Sequence, residues 1–167
     1  IASMQYNETT KRKEVQWLPT TPGPGKRYCH AMASLDVGTI LMYGGWHDGN
    51  IYLNDAYIFF INKTTGKGEW TQTADGPNLR AGHAMSTLAP NKVLMYGGET
   101  HNSIFFSDTH IFFINKNTGK GEWKPVQTNY EPAARANHAM ASMGNNRVVM
   151  YGGSDGHTAF NDAHVFG

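Results

Sequence analysis

Cysteine is almost missing from this chain. Cys29 is the only one in 167 residues, which excludes an internal disulfide framework. A dominant charge is missing too. Fourteen Lys and Arg against thirteen Asp and Glu leave a formal net charge of +1. Neither nucleic acid nor an anionic membrane surface is implied as a partner by that balance. No apolar run approaches the roughly 20 residues of a spanning helix, so no membrane span is expected. No segment joins a helical period to caps. No Ser-His-Asp elbow, phosphate loop or carboxylate cluster is present, so no catalytic residue and no cofactor is expected. The chain starts with Ile, as a processed product or a piece of a longer protein does, and the lack of a leader is uninformative.

What is abundant is glycine, with 19 residues, and aromatics, at 12%. That mix suits short strands joined by tight turns. The strands repeat. "RYCHAMASLDVGTILMYGG", "RAGHAMSTLAPNKVLMYGG" and "RANHAMASMGNNRVVMYGG" align, opening at Arg27, Arg80 and Arg135. His30, His83 and His138 keep the same spacing. Farther on come "LNDAYIFFINKTTGKGEW", "FSDTHIFFINKNTGKGEW" and a shorter "FNDAHVFG", with Asp55, Asp108 and Asp162 in register. Trp70 and Trp123 end the first two copies, and Trp17 lies 53 residues before Trp70. The runs "HAMASL", "TILMY", "AYIFFIN" and "EWTQT" read as four strands per repeat, the last two joined by an Asn- and Gly-containing hairpin turn.

These marks resemble the kelch repeat: Tyr43/Gly44/Gly45/Asp55/Trp70, Tyr96/Gly97/Gly98/Asp108/Trp123 and Tyr151/Gly152/Gly153/Asp162. The Arg-x-x-His opening is similar to kelch variants of the galactose-oxidase propeller. The resemblance covers about residues 14–167. It implies an all-β fold made of kelch-type propeller blades, each a twisted four-stranded antiparallel sheet. The glycine pairs Gly44 and Gly45, Gly97 and Gly98, and Gly152 and Gly153 are expected to serve the three repeats alike. The expected organisation is an extension at 1–13, an outer strand at 14–20, blades at 27–73 and 80–127, and a third blade at 135–167 without its outer strand.

Three blades' worth of strands cannot close a ring of roughly four to eight blades. Two arrangements follow. The chain is part of a longer propeller, or its 14–20 strand, bearing Trp17, completes the open third blade of another copy. The second would make a ring or a head-to-tail filament by self-association.

The loops after the glycine pairs vary while their flanks do not, and variable loops on one face of a repeat array often carry binding. They hold Trp46, His47, Tyr52, His101, Phe105, Phe106, His157 and Phe160, which are expected to meet a protein or glycan ligand or to pack on neighbouring loops. His30, His83 and His138 are either blade-internal or a three-imidazole metal set; the blade-internal role is preferred, with no metal expected. Arg27, Arg80 and Arg135 are expected to pair with the repeat aspartates rather than to bind an anion. A copper oxidase-like enzyme is the alternative that the galactose-oxidase resemblance raises; adjacency of Tyr28 and Cys29 argues against a crosslink between them, since strand neighbours face opposite ways. Asn7 and Asn62 begin N-glycosylation sequons and incline the compartment towards the extracellular side, without assigning it. The function expected is a non-catalytic binding or scaffolding module.

Overall fold

A computed structural model describes residues 2–7, 12–17, 19–115 and 117–167. The expected extension at 1–13 and outer strand at 14–20 fall partly outside these. Two four-stranded antiparallel sheets form the body. The first joins β3 (Ala31–Asp36), β4 (Thr39–Tyr43), β7 (Ala56–Ile61) and β8 (Gly68–Gln72) in that order. The second joins β9 (Ala84–Ala89), β10 (Lys92–Tyr96), β13 (Thr109–Ile114) and β14 (Gly121–Val126) in the same order. A third sheet has only β15 (Ala139–Gly144), β16 (Arg147–Tyr151) and β17 (Ala163–Phe166). These are the blades of an incomplete kelch-type propeller, all-β and not closed into a ring. No helix among the described residues is long and apolar enough to cross a membrane.

Two short ribbons, β5 (Trp46–His47) with β6 (Ile51–Tyr52) and β11 (Glu99–Thr100) with β12 (Ile104–Phe105), stand in the loops after the glycine pairs. Neither ribbon is announced by the sequence, because two-residue strands have no period to detect.

At the start of the chain, β1 (Ala2–Asn7) pairs with β2 (Arg12–Trp17) in a hairpin. The sequence pattern predicted a lone outer strand here. Trp17 faces Ala2 across the pair, as Trp70 faces Phe59 and Trp123 faces Phe112. β1 thus stands to β2 as the third strand of a blade stands to its fourth. Its sequence, "ASMQYN", lacks the β-branched and aromatic run of β7 and β13, so propensity gave no sign of it.

The core lies between sheets rather than within one. Leu41 and Tyr43 of the first blade and Val93, Met95 and Phe112 of the second form one fully buried cluster. Leu88, Leu94 and Val148 join the second blade to the third. The middle strands β4 and β10 are apolar on both faces because each side meets a neighbour, which is why "TILMY" and "KVLMY" do not alternate.

The first two glycine pairs enable close approach between blades. Gly44 has φ 64°, and a Cβ there would lie 2.7 Å from the carbonyl of Arg80 in the next blade. Gly97 repeats this with φ 66° and 2.5 Å to the Arg135 carbonyl. The second glycine of each pair then donates its N–H across the gap, Gly45 to Arg80 and Gly98 to Arg135, both at 2.8 Å.

The third pair keeps the contacts within its own blade. Gly153 keeps what the repeat asks of it. Its φ is 87°, and a Cβ there would lie 2.7 Å from the Ala136 carbonyl at the start of its own blade, as one at Gly98 would lie 2.8 Å from that of Ala81. Its carbonyl accepts the Phe160 N–H at 2.8 Å, as that of Gly98 accepts the Phe106 N–H. The third blade has no following blade among the described residues, and the Gly153 N–H makes no interblade bond there. A Cβ at Gly152 would meet the Phe160 carbonyl of its own blade, at 3.5 Å.

A second backbone link between blades runs through the variable place of Arg-x-x-His. The Gly82 N–H donates to the Cys29 carbonyl at 2.8 Å, and the Asn137 N–H to the Gly82 carbonyl at 2.7 Å. All three residues have φ between 54° and 64°.

Candidate interaction face

The repeat arginines and aspartates pair with one another. Arg80 bonds Asp108 with both nitrogens at 2.7 Å and gives a third bond of 2.7 Å to the Gly97 carbonyl. Arg27 does the same with Asp55 (2.7 and 2.9 Å) and Gly44, and Arg135 with Asp162 (2.5 and 2.8 Å) and Gly152. Arg80 and Arg135 are fully buried. A buried guanidinium needs such a bidentate partner, because an unpaired one would be costly. Hydrogen bonds from Arg135, then from His164, hold the Asp162 carboxyl well below the usual carboxylate range. The clamp places each glycine strand end on the start of its own repeat, and leaves no free arginine ring for an anion.

Two of the loop aromatics close this clamp. Phe106 lies over the Arg80 guanidinium and Phe160 over that of Arg135, each 4.3 Å from ring centre to Cζ. They serve the blade as lids on a buried cation.

His83 and His138 sit between blades. His83 packs on the preceding blade, with its ring 4.7 Å from Tyr43, and His138 lies 5.6 Å from Tyr96. Burial, aided by Arg80, lowers His83 to about 3. Burial, aided by Arg135, lowers His138 to about 4. Both are neutral fillers between blades. No three His, Cys, Asp or Glu side chains gather as metal ligands among the described residues.

The remaining loop residues meet on one face. Tyr28 lies 4.7 Å from Trp46, Trp46 stacks on Tyr52 at 5.6 Å, and Tyr52 lies 4.6 Å from His101 of the next blade. His101 Nε2 is 3.1 Å from the Asn50 carbonyl, which ties the two loops together. Ile51, opposite His47, and Ile104, opposite Thr100, are exposed. Phe105 packs against Gly156 of the third blade, so closely that a Cβ there would lie 2.9 Å from its ring. His47 pairs with Ile51 in the first ribbon and stands apart from the row. His157 is exposed in a turn whose N–H groups donate to Asp155, and it joins no cluster.

Two members of this face are not among the predicted residues. Tyr28 precedes Cys29, and its ring turns to Trp46 rather than to a crosslink. Glu99 occupies the place of Trp46 one repeat on. The signal was available: the residue after each glycine pair is Trp46, Glu99 or Ser154.

At the rim, Asn62 and Asn115 play equal parts in their hairpins. Each accepts backbone N–H bonds and donates from Nδ2 to a glutamate, Asn62 to Glu69 at 2.8 Å and Asn115 to Glu122 at 2.5 Å. Asn115 lacks a sequon, so the turn explains both residues. Asn7 ends β1, and its sequon threonine lies outside the described residues.

Between the second and third blades lies a cavity of about 310 Å³, lined by Tyr96, Thr128, Tyr130, Met150 and Phe166 among others. Between the first and second blades the matching space holds Trp123, whose ring lies 4.9 Å from Tyr43 and 5.2 Å from Phe112.

A family model described as the KLHDC2/KLHL20/DRC7 Kelch-repeats domain matches residues 3–167. Among curated proteins, the chain is 27% identical over 157 residues to Adagio protein 3 of Arabidopsis thaliana, covering 92% of this chain and 25% of that protein. It is 28% identical to Kelch repeat-containing protein 2 of Saccharomyces cerevisiae, over 89% of this chain and 18% of that protein. A tRNA wybutosine-synthesizing protein 4 of Candida albicans is 29% identical over 74% of this chain and 16% of its own length. The chain thus spans a quarter or less of these relatives. The solved structure of YjhT superposes with a TM-score of 0.68 at 15% identity, over 96% of this chain and 47% of that one.

Proposed function

The chain belongs to this kelch-repeat domain family, and we propose that it is a non-catalytic protein-interaction module that docks partners on the Tyr28–Trp46–Tyr52–His101 row. The observation that carries the reading is the row itself. Four rings from two blades meet at the loop face, partly exposed, where nothing in the repeat requires them. The matching positions in the third blade are Ala136, Ser154 and Ala159, and the same backbone bridges form there without any ring. Aromatic rings of this kind dominate interface energetics. The repeat arginines and aspartates are held in the clamps, which supports a docking surface over a catalytic one. Similarity to the wybutosine-synthesizing protein covers too little of that protein to transfer its chemistry.

The test is selection from a displayed random peptide library and from a glycan array. Peptides enriched by the wild type and lost with Trp46→Ala support protein docking. Glycans retained in a Trp46-dependent way would redirect the reading to sugars. Ligands indifferent to Trp46 would overturn it.

A second reading rests on the third blade. β17 has no fourth strand among the described residues, and the cavity beside it matches the space that Trp123 fills one blade earlier. We infer that a strand with Trp opposite Phe166 completes this blade. Trp17 is 87% exposed, and completion in trans by β2 of a second copy would require β2 to exchange its pairing with β1 for one with β17. Light scattering checks it: a monomer at all concentrations sinks assembly in trans, and a dimer lost with Trp17→Ala supports it.

A further inference from the structure

We propose that Glu99, two residues before the His101 ring that packs on Tyr52, is the recognition point for a basic side chain, Arg or Lys, of a protein partner. This rests on the loop-face reading above and names the chemistry of what docks there.

Glu99 is not needed by the fold. Its N–H and C=O exchange hydrogen bonds with Ala81 at 2.8 and 2.9 Å. Trp46 makes the same pair of bonds with Tyr28 at 3.0 Å, and Ser154 with Ala136 at 2.9 Å. An indole, a carboxylate and a hydroxymethyl group all satisfy the position, so the backbone asks nothing of the side chain.

Glu99 has no cation. It forms no ion pair among the described residues, while Arg27, Arg80 and Arg135 are each held by their own aspartate. It is half-buried, and that burial alone raises its carboxyl from the ordinary value, with no compensating positive neighbour. Asp55, Asp108 and Asp162, in contrast, each sit on a guanidinium. A partly desolvated carboxylate without a partner favours an incoming cation over water.

The surroundings suit a cation. The charge of Glu99 reaches the Tyr52 hydroxyl, whose pKa is raised by burial first and by Glu99 next. Tyr52 is the middle ring of the row, stacked on Trp46 on one side and against His101 on the other. A guanidinium or ammonium paired with Glu99 can lie on these ring faces, where cation–π attraction adds to the ion pair. An acidic partner would meet an unpaired carboxylate and no free cation at this place.

The test uses the same random heptapeptide library, with the wild type, Glu99→Gln and Trp46→Ala. Glu99 is a loop residue, and urea unfolding checks that the Gln variant stays folded. The wild-type pool should be enriched in Arg or Lys at one fixed position. A selected peptide remade with citrulline in place of Arg should bind at least ten-fold more weakly. Glu99→Gln should weaken the Arg peptide to a similar degree and leave the citrulline peptide nearly unchanged. Trp46-dependent peptides that carry no basic residue, or that ignore Glu99→Gln, would overturn this inference and leave the loop-face reading standing. A library with no Trp46-dependent enrichment would overturn both.

Discussion

The indole Nε1–H of Trp123 donates to the backbone carbonyl of Ala74, 3.1 Å away in the segment that leads from the first blade to the second. One ring therefore touches its own blade through Phe112 and the preceding blade through Tyr43 and Ala74. Trp123→Ala should cost about 2–3 kcal/mol, less than the usual loss for a fully buried ring, because Trp123 is only partly buried. Trp123→Phe keeps part of the packing and loses the bond, so about 1–2 kcal/mol is expected. Urea unfolding of both variants separates packing from hydrogen bonding.

The Arg80–Asp108 clamp is fully buried on its arginine side. Arg80→Met leaves Asp108 without its cation and should cost about 3–5 kcal/mol. Arg80→Lys should recover only part of this, since an ammonium cannot bridge both carboxylate oxygens and the Gly97 carbonyl. In the double variant Arg80→Met/Asp108→Leu the loss should fall short of the sum of the single losses. Chemical denaturation of all four proteins closes the cycle.

Acid should unfold the protein through its histidines before its carboxylates. His83 and His138 are lowered to about 3 and about 4 in the folded state, against 6.5 for the ordinary group. The unfolded chain then binds protons that the folded chain refuses. Their contribution is fully present above pH 6.5, and is lost as pH falls from there towards the folded values. The slope approaches about 1.4 kcal/mol per pH unit for each histidine. Asp162, lowered by Arg135 and His164, adds its own loss only below the ordinary carboxylate range, near pH 4. Melting temperatures measured from about pH 7.5 to 4.5 should fall steadily. The fall should be shallower in His83→Gln, and an unchanged profile in that variant would refute the assignment.

Gly97 and Gly119 share nearly the same φ, 66° and 67°, but not the same surroundings. A Cβ at Gly119 meets nothing within 4 Å, and one at Gly97 meets the Arg135 carbonyl. Gly119→Ala should cost about 1–2 kcal/mol, the penalty of the left-handed conformation. Gly97→Ala should cost clearly more, because two backbones must part. Thermal denaturation of the pair isolates interblade contact from conformational strain.

These outcomes show where the sequence was readable. Arg80, Asp108, Gly97 and Trp123 recur at fixed spacing because each blade needs them, and repetition exposes such needs. Phe105 and Phe106 are adjacent and look alike, yet one packs on Gly156 and the other caps Arg80. No period distinguishes them in a loop. Position along the repeat also hid that His83 belongs to the contact with the blade before it. β1 was invisible for a different reason: its pairing with β2 is set by register, while its composition carries no strand signature. Glu99 was legible only by asking what differs between copies, after asking what they share.

The run of backbone bonds through Cys29, Gly82 and Asn137 has a bearing on how such a chain can diverge. Blade is tied to blade there by peptide groups, which every amino acid supplies. A thiol, a hydrogen and an amide already stand at the three places. Residues that tolerate a positive φ can therefore change there and alter the chemistry displayed, while the stitching beneath stays the same. Novelty and cohesion are assigned to different atoms of the same residue.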